Sequence, residues 1–76
     1  MKIEFDNNIY DTIRKNIKKY RKQKNMTAEQ LAEIVEVSYD FIRQIESEKV
    51  AKSFSVDTLY RISVALDVSV DKLFKK

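Results

Sequence analysis

Residues 27–47 read TAEQLAEIVEVSYDFIRQIES, a stretch in which two short amphipathic segments follow each other closely. Each segment opens with a hydroxyl residue, Thr27 or Ser38, and continues with apolar residues at helical spacing. A hydroxyl at this place can accept a hydrogen bond from a free backbone N–H of the first helical turn. The pattern predicts helices over about residues 27–35 and 38–47, joined by a sharp turn.

The signal that opens these two helices occurs four times along the chain. An apolar residue precedes a Ser or Thr, and a second apolar residue follows the hydroxyl residue four places later, so that the apolar pair can pack across the helix start. The instances are Met26-Thr27 with Leu31, Val37-Ser38 with Ile42, Phe54-Ser55 with Leu59, and Val68-Ser69 with Leu73. Thr27 and Gln30 also fit a capping box. The pattern predicts two more helices, over about residues 55–66 and 69–74.

A further helix is predicted before Thr27, over about residues 8–24. Its apolar face is formed by residues three or four apart, namely Ile9, Ile13, Ile17 and Tyr20, extended by Tyr10. The sequence contains no glycine and no proline, which small strand-rich folds usually need in their turns. Five short helices with brief connections predict an all-α fold, a compact five-helix bundle, over residues 8–76.

The core of the later helices is predicted from their inward positions. These positions are Leu31, Ile34, Val35, Phe41, Ile42, Ile45, Leu59, Ile62, Ala65 and Leu66. Phe74 lies close to the chain end, where it fits either the core or an interface; the core is the slightly better fit.

Residues 1–7 are predicted to form an N-terminal arm. Ile3 and Phe5 alternate with charged residues, which permits a strand or an arm that packs on a partner. A frayed terminus fits the same pattern somewhat better. The 76 residues leave no room for a second domain beside residues 8–76.

Composition argues against several kinds of site. Cysteine and histidine are both absent from the sequence, which removes disulfides, thiolate metal sites, the commonest general base and the commonest metal ligand. We therefore expect no enzymatic activity and no cofactor. No apolar run approaches the ~20 residues that span a bilayer, and the first residues do not resemble a signal peptide. The expectation is a cytoplasmic protein without membrane contact.

Positive charge is concentrated in one part of the chain. The net charge is only +3, but residues 14–24 contain no acid and hold the basic residues Arg14, Lys15, Lys18, Lys19, Arg21, Lys22 and Lys24. Such a block suits a polyanion such as a nucleic-acid backbone. A solvated helix face explains the same block equally well, so the block alone leaves both interpretations open.

The third predicted helix has two distinct faces. Opposite its apolar positions lie Tyr39, Asp40, Arg43, Gln44 and Ser47. Arginine and glutamine can each make paired hydrogen bonds to base edges in the major groove of DNA. An ordinary amphipathic surface helix would show the same division, so the helix by itself favours neither interpretation.

The stretch TAEQLAEIVEVSYDFIRQIESEK, followed by LYRISVALDVSVDKLF, resembles the lambda-repressor-like helix-turn-helix family, also called the Xre family. The likeness covers about residues 13–74 and involves spacing as well as residue type. It implies a helix-turn-helix at about residues 27–47. It also implies binding to double-stranded operator DNA, usually as a homodimer on a palindromic site, and regulation of transcription.

The resemblance also implies roles for individual residues. Positions that usually face base edges are matched by Ser38, Tyr39, Asp40 and Gln44, with Arg43 on the same face. Positions that usually approach phosphates are matched by Thr27, Ala28, Ser47, Lys49 and Lys52. Arg21 and Glu46 match a pair that family members often join as a salt bridge, and both lie at the edges of their apolar faces.

The chain departs from the family pattern at several positions. The family commonly has glycine where this chain has Glu36, Glu48 and Asp67, because helix ends there tend to enter left-handed backbone geometry. Either the turns differ, or the chain tolerates a cost of about 1–2 kcal/mol at each. Ala28 replaces a frequent glutamine that helps to hold a phosphate. Asp40 fits two roles, accepting from cytosine N4 or stabilising the first helical turn.

The resemblance leaves an alternative function open. Small domains of this family can also serve as protein-interaction modules, such as the antitoxin of a toxin–antitoxin pair. The acidic residues that would form part of a surface for a protein partner are Glu29, Glu33, Glu36 and Asp40. For a homodimer, the candidate surfaces are the fifth helix, with Val70 and Phe74, and the arm, with Ile3 and Phe5.

Overall fold

The computed structural model describes residues 2–47, 49 and 53–76, and within these ranges the chain forms five α-helices. They are α1 (Ile9–Gln23), α2 (Ala28–Val35), α3 (Tyr39–Glu46), α4 (Val56–Leu66) and α5 (Val70–Leu73). The described residues contain no strand. The predicted all-α fold is confirmed, and each helix begins and ends within one residue of its predicted limits.

Hydroxyl side chains cap three of the four helix starts that the sequence marked. The Thr27 hydroxyl accepts from the Gln30 N–H at 3.0 Å, and the Gln30 side chain accepts from the Thr27 N–H at 2.9 Å, which is the predicted capping box. Ser38 and Ser55 cap α3 and α4 in the same position. Ser69 makes no cap hydrogen bond to the backbone of the very short α5.

Three described residues that are not glycine have left-handed backbone geometry: Asn25 follows α1, and the other two end α2 and α4, where the family commonly has glycine. Glu36 after α2 has φ 65°, and Asp67 after α4 has φ 55°. The next N–H in each case reaches back to close the helix, Val37 to the Ala32 carbonyl and Val68 to the Ser63 carbonyl, both at 3.0 Å. The turns therefore keep the geometry that glycine usually serves, and the chain tolerates the cost. Glu48 lies outside the described residues.

One apolar core joins the five helices. It contains Ile13, Ile17, Leu31, Ala32, Val35, Ile42, Ile45, Leu59, Ile62, Leu66 and Leu73. The apolar residues that precede the four marked helix starts, Met26, Val37, Phe54 and Val68, pack against this core. α3 packs against α1 and α2, and its buried residues are Ile42 and Ile45, so the core holds α3 from one side.

Two predicted core residues are exposed instead. Ile34 is 55% exposed, because α2 faces the core with Leu31, Ala32 and Val35 and turns Ile34 toward the edge of α4. Phe74 is 41% exposed, because Leu73 already fills the core position at the end of α5. Both predictions were wrong for the same reason: a short helix buries only a narrow stripe of its surface.

The N-terminal arm is held only at its end. Residues 2–6 have no regular secondary structure, and Ile3 and Phe5 are exposed. The Asp6 carboxylate accepts hydrogen bonds from the Thr12 hydroxyl at 2.8 Å and the Asn8 N–H at 2.9 Å, which ties the arm to α1. These two bonds, the Thr12 bond foremost, lower the pKa of Asp6 below its usual value.

Candidate nucleic-acid interface

The inner face of α3 is fixed by burial. Ile42 and Ile45 have almost no exposed surface and belong to the core. On the other side of the helix, Ser38, Tyr39, Asp40 and Arg43 are exposed, and Gln44 is half-buried. The structure thus brings the residues predicted to face base edges together on one side of a firmly anchored helix.

A carboxylate at the centre of this outer face orients its neighbours. Asp40 Oδ2 accepts a hydrogen bond from Gln44 Nε2 at 2.9 Å, and Asp40 Oδ1 lies 3.9 Å from Arg43 Nη2. Both charged side chains are mostly exposed, so the ion pair is weak and solvent-screened. Hydrogen-bonding groups of a ligand can therefore replace Asp40 as the partner of Arg43 and Gln44 at low cost.

A second carboxylate of α3 is held in a different way. Arg21 donates from Nε to Glu46 Oε2 at 2.7 Å and from Nη2 to Glu46 Oε1 at 2.9 Å, a paired geometry with both side chains largely buried. Its Nη1 donates to the Met26 carbonyl at 2.8 Å. The hydrogen bonds to Glu46 raise the pKa of Arg21 above its usual value. Arg21 therefore links α1, the end of α3 and the loop before α2.

A second buried arginine was missed by the sequence analysis. Arg14 donates from Nη1 to the Ser47 carbonyl at 2.8 Å and from Nε to the Tyr10 carbonyl at 3.1 Å. It therefore holds the backbone just after α3, next to the Glu46 side chain that Arg21 holds. One signal could have revealed it: Arg14 lies seven residues before Arg21, two turns earlier on the same edge of α1.

The basic block does not form a single cationic surface, because Arg14 and Arg21 are turned inward. Among the remaining lysines, Lys15 and Lys18 share a shallow depression with Lys49 beside the end of α3. Ser47, a predicted phosphate contact, lines the same depression. This part of the block lies where a backbone phosphate next to α3 would need positive charge.

Another shallow depression lies at the start of α2. Its lining includes Arg21, Lys22, Thr27, Ala28 and Tyr39. The N–H groups of a first helical turn favour anions, so the predicted phosphate contacts Thr27 and Ala28 lie in a suitable place. Ala28 is partly buried against the core, and only its backbone N–H can bond there. The remaining predicted contact, Lys52, lies outside the described residues.

Other kinds of site find no support in the residues that are described. Within them, no group of three or more His, Cys, Asp or Glu residues is placed to hold a metal ion. No helix in the same ranges has the length and apolar character needed to cross a bilayer.

Comparison with known families gives one match over most of the chain. The sequence profile of a family described as helix-turn-helix matches residues 17–73. This range contains α2, α3, α4 and α5 completely, together with the second half of α1. No curated protein sequence gives a significant match.

Solved structures of bacterial regulators are similar to the chain. SinR of Bacillus subtilis, described as the master regulator for biofilm formation and solved in complex with DNA, is 35% identical. The match covers 83% of this chain and 98% of the SinR chain in that structure, with a TM-score of 0.74. A chain in the structure of the complex of SinR with the protein SinI is 34% identical. This match covers 84% of the present chain and 61% of the matched chain, with a TM-score of 0.75.

A regulator from a different organism has a similar fold. The clp gene regulator ClgR from Corynebacterium glutamicum is 25% identical over 86% of this chain and 67% of its own, with a TM-score of 0.78. The arrangement of the five helices is therefore shared with proteins whose described role is regulation.

Proposed function

Since the chain belongs to the helix-turn-helix family, in its lambda-repressor-like (Xre) branch, we propose that it is a sequence-specific DNA-binding transcription regulator whose α3 enters the major groove. One observation carries this proposal. The outer side chains of α3 are exposed as a group, while Ile42, Ile45 and the Arg21–Glu46 pair hold the helix from within. A rigid helix that presents polar side chains is what major-groove recognition requires.

Base recognition falls to the outer face of α3. When DNA binds, Arg43 and Gln44 give up their contacts with Asp40 and form hydrogen bonds with base edges instead. Each paired contact supplies about 1–3 kcal/mol of discrimination against the wrong base. Tyr39 lies at the start of the helix beside the α2 depression, where it contacts bases at the edge of the site. The Ser38 oxygen already accepts from the Phe41 N–H, so Ser38 reads DNA by donating its hydroxyl hydrogen.

Phosphate contacts lie on both sides of this face. Ala28 offers its backbone N–H and Thr27 its hydroxyl hydrogen at the start of α2, and Ser47 and Lys49 follow the end of α3, with Lys52 three residues further along the sequence. Because these contacts displace counterions from DNA, affinity falls steeply as salt rises.

A single domain of this size covers only a half-site. Two copies on a palindromic operator read half-sites about one helical turn apart, ~34–36 Å. The exposure of Phe74 supports α5 as the surface of this operator-bound dimer, and the exposed Ile3 and Phe5 support the arm as a second choice.

The alternative function is a protein-interaction module, such as an antitoxin. Glu29, Glu33 and Glu36 are all exposed, which favours a basic partner surface. The similar protein SinR has been solved in complex with a second protein, SinI. The absence of enzymatic activity, the absence of a cofactor and a cytoplasmic location stay predictions.

Selection of binding sites from random duplexes tests the proposal. We expect enrichment of a palindromic motif. A chain with Arg43→Ala and Gln44→Ala should lose the motif while keeping its unfolding temperature. Arg61→Ala is the matched control, because Arg61 is an exposed arginine on α4 with a similar intrahelical ion pair, to Asp57 at 3.1 Å. Absence of enrichment at low salt, together with tight binding to a protein partner, would establish the alternative.

A further inference from the structure

A second apolar stripe runs along the exposed side of α4. Val56, Tyr60 and Val64 are spaced four residues apart and are 83%, 60% and 60% exposed. Across the groove between the helices lies Ile34 of α2, which is 55% exposed. Adjacent large apolar side chains on the surface of so small a domain indicate an interaction site, because contiguous exposed apolar patches mark such sites in soluble proteins.

Opposite charges lie at the edge of this surface. Ile34, Tyr60 and Val64 line a shallow depression together with Glu36, which ends α2, and Arg61 of α4. We call these five residues the α2–α4 patch. Arg61 pairs with Asp57 at 3.1 Å, but both side chains are about half exposed or more, so Arg61 can change partners at low cost.

The α2–α4 patch lies away from the face of α3 that reads DNA. On α2, Glu29 shares its depression with Tyr39, whereas Ile34 shares its depression with Tyr60 and Val64. Five residues of α-helix separate Glu29 from Ile34, which corresponds to about 140° around the helix axis. A molecule bound to the patch therefore leaves the outer face of α3 accessible.

We propose that the α2–α4 patch is a self-association surface, at which two copies of this chain pack across a two-fold axis. A two-fold contact brings a surface onto itself, so the surface must be self-complementary. This patch can meet that condition, because it carries one acid and one base beside its apolar residues. In the proposed contact Glu36 of one copy pairs with Arg61 of the other, and the reverse pair forms by symmetry. Tyr60 and Ile34 provide the apolar centre, and tyrosine is enriched at such centres.

The proposal goes beyond operator binding, and it does not depend on operator binding. It differs from the α5 or arm contact of an operator-bound dimer, because the patch contains no residue of α5 or of the arm.

Exchange of the two charges tests the contact. In a pair of Glu36→Arg chains the introduced arginine of each copy faces Arg61 of the other, so basic groups face each other at both contacts. In a pair of Arg61→Glu chains the introduced glutamate of each copy faces Glu36 of the other, so acidic groups face each other. Each variant alone should associate about tenfold more weakly than the original chain, measured by analytical ultracentrifugation over a range of concentrations. A mixture of the two variants should associate again, because each then meets opposite charge. A mixture that stays monomeric would overturn the proposal.

The apolar centre provides a second test. Tyr60→Lys should weaken association by about tenfold or more, because it places a charge at the centre of the contact. Phe5→Lys is the control, since Phe5 is an exposed aromatic residue of the arm. If the original chain is monomeric at every concentration, or if only Phe5→Lys abolishes association, the patch is not the contact.

DNA binding separates this proposal from the proposed function. Binding of the Tyr60→Lys chain to a short duplex with one half-site should match that of the original chain. If the affinity falls as well, Tyr60 lies in the DNA interface and the assignment of the patch is wrong. If the original chain associates but binds no duplex, the proposed function fails while the self-association surface stands.

Discussion

On its inner edge α3 holds Glu46 against Arg21 with hydrogen bonds of 2.7 and 2.9 Å, whereas on its outer face Asp40 and Arg43 approach only to 3.9 Å. The inner side chains are 9% and 12% exposed, and the outer ones 65% and 63%. Both pairs join a carboxylate to a guanidinium group, but the attraction is stronger in the buried pair, because water screens the charges of the exposed pair. The buried pair determines where the helix lies, and the exposed pair remains available for exchange.

The comparison is tested most strongly by Glu46→Ala. We expect the free energy of unfolding to fall by about 3–5 kcal/mol, because Arg21 keeps its charge in a buried place without a carboxylate. Denaturant unfolding measures the change, and Asp40→Ala serves as the exposed counterpart, with an expected loss of less than about 1 kcal/mol.

Equal losses for Glu46→Ala and Asp40→Ala would remove the distinction between the two faces. A further control replaces both buried partners, Arg21→Met with Glu46→Leu. This double variant should regain much of the lost stability, because a buried ion pair can often be replaced by apolar residues at little cost.

Replacement of Arg14 tests how the backbone just after α3 is held in place. Arg14→Met removes the donors to the Ser47 and Tyr10 carbonyls. We expect a loss of about 1–3 kcal/mol in the free energy of unfolding, chiefly because the Ser47 carbonyl loses its donor, whereas the Tyr10 carbonyl keeps its helical N–H partner. Lys18→Met is the matched control, because Lys18 is an exposed cation on the same helix. A control that loses as much as Arg14→Met would contradict the role of Arg14.

On the outer face, substitution should change selectivity and leave stability alone. Arg43→Ala should relax the preference at one or two base positions by about 1–3 kcal/mol. Lys49→Ala should weaken binding to all sequences alike and reduce the salt slope by about 1. Binding measurements on a panel of single-base variants, repeated at several salt concentrations, separate the two effects. If the two substitutions exchange their effects, the assigned roles are wrong.

The smallest effect is expected for Asp40→Asn. The amide still has an oxygen that can accept from Gln44, but the negative charge near the phosphates is gone. Affinity for duplexes of any sequence should rise by less than about 1 kcal/mol, and helix stability should fall by about 0.3–1 kcal/mol with the loss of an acid in the first turn. Loss of a preference for cytosine at one position would instead assign Asp40 to base reading.

Helix starts were predictable because their signals are local. The hydroxyl of Ser38 and the apolar pair Val37 and Ile42 all lie within six residues, so the sequence alone contains the interaction that begins α3. Ser69 shows the limit of such a signal. The same pattern is present there, but α5 has only four residues and its start forms without the hydroxyl bond.

Burial at helix edges was not predictable in the same way. Ile34 and Arg14 both lie beside an apolar stripe, one apolar and the other charged, yet Ile34 is exposed and Arg14 is buried. The neighbouring helix decides whether a residue at the edge of the stripe is buried. The end of α3 supplies a carbonyl acceptor for Arg14, whereas α4 leaves Ile34 uncovered. Such contacts depend on how distant segments cross, which a single sequence does not contain.

The candidate site was predictable as a set of positions on one helix face. Helical spacing predicts that Tyr39, Asp40, Arg43 and Gln44 lie on one face of α3, and in the structure they lie there. The hydrogen bond from Gln44 to Asp40 is a further consequence of their spacing of four residues, although it was not among the predictions. The contacts of these side chains with bases stay predictions, because they depend on a DNA sequence that this chain does not encode.

The left-handed residues after α2 and α4 have a consequence for protein engineering. Glycine in such a turn avoids a steric cost of about 1–2 kcal/mol but adds freedom to the unfolded chain, so the net gain is up to about 1 kcal/mol at each position. At Glu36 this gain would come with the loss of a charge in the α2–α4 patch. Asp67 belongs neither to the outer face of α3 nor to the α2–α4 patch. Asp67→Gly should therefore raise the free energy of unfolding and leave both surfaces unchanged.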